Sequence, residues 1–230
     1  MTHSSDPREW DEYWNQKDRA SGKVYDLIAT VYRTLVIRRN LEKAIFRTFP
    51  EGSRLLHAGC GSGGVDTNLH NRMQITAIDS SSGALRRYRE LNPRAFEVRQ
   101  ADIFSLPFPD ETFDGVYNLG VLEHFTVDEI IMMLAELRRV TRPGGKLLVF
   151  WPHSRASSVA VLKAAHWILR FTSKKPTILH PPEISLVKSK EWVESIVTRG
   201  GFKLERYTFG ARDFFIQAVI VAEKKAAKMT

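Results

Sequence analysis

The apolar run RLLHA at residues 54–58 passes straight into a glycine string, HAGCGSGG over 57–64, with a short helical stretch expected after it. A strand that hands over through clustered glycines needs backbone conformations that larger residues avoid. Gly59 and Gly61 allow a tight turn whose bare amides can approach a ligand, and Gly63 or Gly64 allows close helix packing. Such a unit commits the chain to an α/β fold with a parallel sheet. Asp79 follows about twenty residues after Gly59, at the expected end of the next strand, where a carboxylate can accept both hydroxyl hydrogens of a ribose. A plain turn, with Asp79 capping the helix after it, is the structural alternative.

The rest of the chain keeps that alternation. Apolar residues at three- and four-residue spacings predict a helix over 26–49, ended by Pro50, and QITAI at 74–78 predicts the second strand. A helix over 85–91 and a strand over 95–100 follow, then a loop punctuated by Pro107 and Pro109. FDGVYNL at 113–119 reads as a fourth strand, and Thr126 with Glu129 forms a capping box opening a helix through Val140. Pro143, Gly144 and Gly145 are expected to turn the chain into a buried strand over 146–151. A helix over 189–200 and strands over 202–209 and 214–222 complete the pattern, leaving 223–230 as a frayed tail. Two final strands with no helix between them predict an antiparallel edge hairpin.

The 230 residues carry 43% hydrophobic and 26% charged side chains, ordinary proportions for one globular domain. We expect a single domain with a helical cap over 1–50, a binding core over 51–151, an insertion or lid over 152–188, and a closing helix and strands over 189–224. A single cysteine, Cys60, leaves no intrachain disulfide and no multi-cysteine metal site, and favours a cytoplasmic location. No metal is expected. Residues 1–14 lack the apolar core of a secretory signal. The longest apolar stretch, 156–171, contains Lys163, His166 and Arg170 and falls short of the roughly 20 residues that span a bilayer. With Lys174 and Lys175 it can form a basic amphipathic helix, either a lid on the core or a contact with an anionic membrane surface. The net charge of +8 allows an anionic partner without choosing one.

Two further strings, ADIFSLPFPDETFDGVYNLGVLEHF at 101–125 and RPGGKLLVF at 142–150, stand in the order and spacing that complete a known pattern. Over residues 55–222 the chain resembles the class I methyltransferases that use S-adenosyl-L-methionine, with a core like methyltransferase type 11. The resemblance implies a Rossmann-like three-layer sandwich, a mostly parallel seven-stranded sheet, and helical N-terminal and lid segments around it. It also implies transfer of a methyl group to an oxygen or nitrogen of a small-molecule or lipid-like acceptor. By position, His57, Ala58, Gly59, Cys60, Gly61 and Gly63 pass the methionine part of the cofactor, and Asp79 with Ser80 meets the ribose. Asp102 and Ile103 meet the adenine, while Asn118 and Leu119 line the sulfonium side. One departure stands out: the family usually has Asp or Glu where this chain has His57, so either His57→Asp is expected to retain or improve cofactor affinity, or His57 is a buried histidine hydrogen-bonded to the loop.

Methyl transfer from a sulfonium works largely by alignment, so a base is optional. Where one is used, His124, His153 and His180 are the candidates by residue type. Trp14, Tyr25 and His153 are expected in the acceptor pocket, with Trp10 and Tyr13 beside them. A nicotinamide dehydrogenase and a non-catalytic binding module are the rival readings of the glycine string. Nucleic acid is not the expected partner, because the fourth strand ends in NLGV rather than an NPPY-like signature.

Overall fold

The computed structural model describes Trp10 and residues 36–155, 183–210 and 217–225. Helix α1, Arg38–Thr48, buries Leu41, Ala44 and Ile45, and stops where Phe49 turns extended ahead of Pro50. The earlier part of the expected helix lies outside the described residues. Strand β1, Arg54–Ala58, is followed by turns and one 3-10 turn, Leu69–Asn71, in place of the expected helical stretch. The composition of GSGGVDTN at 61–68 explains the difference, since Gly, Asp, Asn and Thr are weak helix formers.

Strand β2 (Gln74–Asp79), helix α2 (Ser82–Leu91), strand β3 (Glu97–Gln100) and strand β4 (Phe113–Leu119) follow. Helix α3, Val127–Val140, opens on the predicted capping box: the Thr126 hydroxyl accepts from the Glu129 amide, and the Glu129 carboxylate accepts from the Thr126 amide. Its apolar stripe buries Ile130, Met133, Leu134, Leu137 and Val140. Strand β5 begins five residues earlier than its apolar run, as Thr141–Pro152. Thr141 pairs with Phe113, and the ladder then jumps to Gly115 opposite Lys146, so the four residues of RPGG are spent in a bulge. They do not stop the helix; Thr141, already extended, does.

Helix α4, Lys190–Arg199, leads to strands β6 (Phe202–Thr208) and β7 (Gln217–Lys224). The sheet order is β3-β2-β1-β4-β5-β7-β6, with every pair parallel except β5 with β7 and β6 with β7. Glu223 and Lys224, expected to fray, are paired in β7, and the buried Lys224 ammonium donates to the Thr141 carbonyl at 2.6 Å. Neighbouring strand residues face opposite sides. Leu56 joins α3 and α4 through Leu134 and Val193, whereas Leu55 joins α1 through Leu41 and Ile45. These are three layers, a Rossmann-like sandwich. No helix among the described residues is long and apolar enough to cross a membrane.

Candidate active site

The chain leaves β1 toward β2 and β3 on one side and resumes on the other side with β4. Connections therefore part above the C-terminal ends of β1 and β4, opening the crevice that open parallel sheets use for ligands. The glycine string begins there, with Gly59, Gly61 and Gly63 all at positive φ, +74°, +52° and +67°. Its amides are not bare, contrary to expectation. Those of Gly59 and Cys60 both donate to the Ile78 carbonyl at 2.9 Å, that of Gly61 to the Asp79 carboxylate at 2.8 Å, and that of Gly63 to the Cys60 carbonyl at 3.1 Å. With these four donors consumed internally, the loop is poorly equipped to grip a phosphate.

Two glycines are dictated by packing. A Cβ on Gly59 would lie 2.5 Å from a Val121 methyl, and one on Gly63 within 2.6 Å of Tyr88 and Asn92. Gly63 thus allows close helix packing as expected, against α2 and from beyond the loop. Asp79 ends β2 with one carboxylate oxygen on the Gly61 amide and the other on the Ser81 amide, at 2.8 and 2.9 Å. The cap of α2 is Ser81, whose hydroxyl accepts from Ala84, so Asp79 is not the helix cap. A carboxylate offers about four lone-pair sites, so these two bonds are compatible with a ribose diol.

Asn118, fully buried at the end of β4, donates to the Ala58 carbonyl at 2.6 Å, while its own carbonyl oxygen has no partner among the described residues. An orphaned acceptor at the crevice, beside a glycine turn and an acid, fits a ligand carrying an ammonium, a sulfonium and a ribose. Ser80 follows Asp79 and accepts from Gln100 through its carbonyl. Asp102 is exposed just past β3, its carboxylate accepting from Phe104, and Ile103 packs half-buried beside it. Residues 57–63, Asp79 with Ser80, Asp102 with Ile103, and Asn118 with Leu119 thus meet at one edge of four adjacent strands.

His57 is turned away from the loop surface. Its ring is buried, stacks on Tyr117 at 4.2 Å, and puts Nδ1 at 2.6 Å from Asp66. The same Asp66 oxygen accepts from the Tyr88 hydroxyl, also at 2.6 Å. Burial, with Asp66 adding to it, holds the Tyr88 and Tyr117 hydroxyls far above their ordinary range, so both remain protonated. His57→Asp would set a second carboxylate against Asp66 in the interior. Burial, then Asp79 and Asp66, also pushes the Cys60 thiol well up, which makes it a poor nucleophile.

His124 lies buried in a 3-10 turn, Leu122–His124, just past β4, with Trp10 edge-on at 5.0 Å. His153, beyond β5, stacks on Phe209 at 4.0 Å, and its Nδ1 accepts the Arg155 amide at 3.0 Å. Burial and Arg155 lower its pKa. With Nδ1 accepting, the neutral ring carries its proton on Nε2 and presents a hydrogen-bond donor there. Trp14, Tyr25, Tyr13 and His180 lie outside the described residues.

Sequence reasoning missed two residues here. Asp66 sits in an undistinguished loop and carries no local signal. Glu123 was in view within LEHF, but a charged residue in a short turn reads as solvated; it is 4% exposed.

Residues 56–149 match the family model for a methyltransferase domain. A probable S-adenosylmethionine-dependent methyltransferase of Mycolicibacterium smegmatis is 28% identical over 155 residues, 67% of this chain and 53% of that protein. A phosphatidylethanolamine N-methyltransferase of Cereibacter sphaeroides is 36% identical over 104 residues, 43% of this chain and 50% of that protein. Fatty-acid and tRNA methyltransferases also match. The chain spans about half or less of these curated relatives. Among solved structures, the magnesium protoporphyrin IX methyltransferase of Synechocystis with bound S-adenosylhomocysteine superposes with a TM-score of 0.68 at 15% identity, covering 96% of this chain and all of that one.

Proposed function

We infer that this chain, whose residues 56–149 form a methyltransferase domain of the S-adenosylmethionine-dependent class, transfers a methyl group to an oxygen or nitrogen of a small-molecule or lipid-like acceptor. The supporting observation is the convergence of the positive-φ glycine turn, Asp79 and the orphaned Asn118 carbonyl at the switch point of the sheet. The cofactor, when bound, supplies a methyl group already attached to a good leaving group.

The residues of the chain have the simpler tasks of holding and aligning. Asp79 takes the ribose, Asp102 and Ile103 the adenine, and Asn118 with the 57–63 loop the methionine end. Residues 51–151 would hold the cofactor, with the 1–50 and 152–188 segments shaping the acceptor pocket within the same domain. The Trp10 to His124 contact supports that role for the N-terminal segment. A lipid amine and a fatty acid, named as substrates of two relatives, support a small or lipid-like acceptor, while tRNA, named for others, is the competing class.

Labelled S-adenosylmethionine incubated with the full chain and a panel of amines, alcohols, carboxylic acids and transcribed tRNA tests the assignment. Label is expected in a small acceptor. Label in tRNA alone, or in nothing, would sink this reading.

A further inference from the structure

Glu123 is the buried ionisable group that cofactor binding leaves unexplained. It sits in the 3-10 turn at the C-terminal edge of β4, between the cofactor-lining pair Asn118 and Leu119 and the candidate His124. Its main-chain carbonyl accepts two amides, Ile184 at 2.6 Å and Ser185 at 3.0 Å, where the chain returns from the 152–188 insertion. The Trp151 indole fixes that return by donating to the Ser185 carbonyl at 2.6 Å. The turn is therefore clamped between the sheet edge and the root of the insertion.

The side chain inside this clamp is 4% exposed, and its Oε2 has no hydrogen-bond partner among the described residues. Oε1 lies 3.6 Å from the point where Gly120 would carry a Cβ, so it stands over the backbone that follows Asn118 and Leu119. The carboxyl bonds its own main chain, but leaving its second oxygen unpartnered in the interior costs about 1–3 kcal/mol. The fold gains nothing from it: α3 is capped by Thr126 and Glu129 without it, and it joins no ion pair among the described residues.

We propose that Glu123 binds the methyl acceptor and takes its proton, and that the acceptor is an amine. This rests on the methyltransferase reading above. Two cations, the sulfonium and an ammonium, would enter one low-dielectric crevice, and a carboxylate there supplies the counter-charge. Burial, with Glu183 adding to it, pushes the carboxyl up to about 8, so it waits protonated and ionises as the cations arrive. A carboxylate acceptor would bring no cation to ionise Glu123 and would gain no counter-charge from it. An alcohol holds its proton too tightly for such a base to remove fully.

In the step, the ammonium proton moves to the Glu123 carboxylate, and the freed nitrogen pair forms the bond to the methyl carbon. The carbon–sulfur bond breaks with its electrons left on sulfur, giving a methylammonium, a neutral thioether and a protonated Glu123. Net charge is +1 on both sides, and the carboxyl proton then leaves to solvent.

The test is calorimetry on the full chain. S-adenosylhomocysteine is titrated first into wild type and Glu123→Gln, and its affinity should agree within about threefold; no binding in wild type would defeat the methyltransferase reading itself. Octylamine, octanol and octanoate are then titrated into the wild-type complex. Octylamine should bind at least about tenfold tighter than either, and Glu123→Gln should abolish that preference while Glu123→Asp retains part of it. An amine that binds no tighter than the other two, or a preference that survives Glu123→Gln, overturns the proposal.

Discussion

His57 illustrates how one residue changes meaning between sequence and structure. By position it replaces a carboxylate expected to help with the cofactor, but its Nδ1 is joined to Asp66 at 2.6 Å inside the protein. Asp66 is fully buried and also accepts from Tyr88, so it binds the glycine loop to α2. Nothing in the local sequence around Asp66 marks it, because the pairing is made by the fold of a loop with no regular structure. His57→Asp is predicted to cost about 3–5 kcal/mol, since it breaks a buried pair and adds a like charge. Thermal unfolding checks this, and a midpoint equal to wild type would contradict it.

Glu123 supplies a pH dependence at the same scale. Its carboxyl is raised to about 8 from an ordinary 4.5 by burial. Between those values the folded chain keeps a proton that the unfolded chain has released, so stability falls as pH rises through the window and levels off above it. Glu123→Gln removes that slope. The variant should therefore gain on wild type from pH 5 to pH 8, ending about 1–3 kcal/mol more stable in the absence of ligands. Parallel unfolding curves across that range would refute the assignment.

At the scale of elements, legibility followed locality. Strands β1 and β4 have the bounds that their apolar runs predict, and α3 begins on its capping box, because each is specified by contiguous residues. The glycine turn and Asp79 were legible for the same reason. Strand β5 was misread at its start because Pro143, Gly144 and Gly145 look like a stop, whereas pairing of Thr141 with Phe113 extends the strand and throws RPGG into a bulge. The bare amides expected of the loop were also misread, since those of Gly59, Cys60 and Gly61 find their acceptors, the Ile78 carbonyl and the Asp79 carboxylate, on another strand. Burial of Glu123 was hidden because the residues whose amides bond its main-chain carbonyl, Ile184 and Ser185, lie about sixty positions later.

For the whole molecule, the sheet order matters most. Reversal between β1 and β4 opens a crevice, and seven strands with helices on both faces hold Asp79, Asn118 and the glycine turn around it. The hairpin of β6 and β7 completes the far side and anchors β5, on which Trp151 fixes the root of the insertion. Titration of S-adenosylhomocysteine into the full chain and into Asp79→Asn tests this account most directly. The account predicts one-site binding to wild type, weakened at least about tenfold in Asp79→Asn, which keeps the shape but halves the acceptor oxygens. Equal affinity for both, or no heat with wild type at saturating ligand, would contradict it.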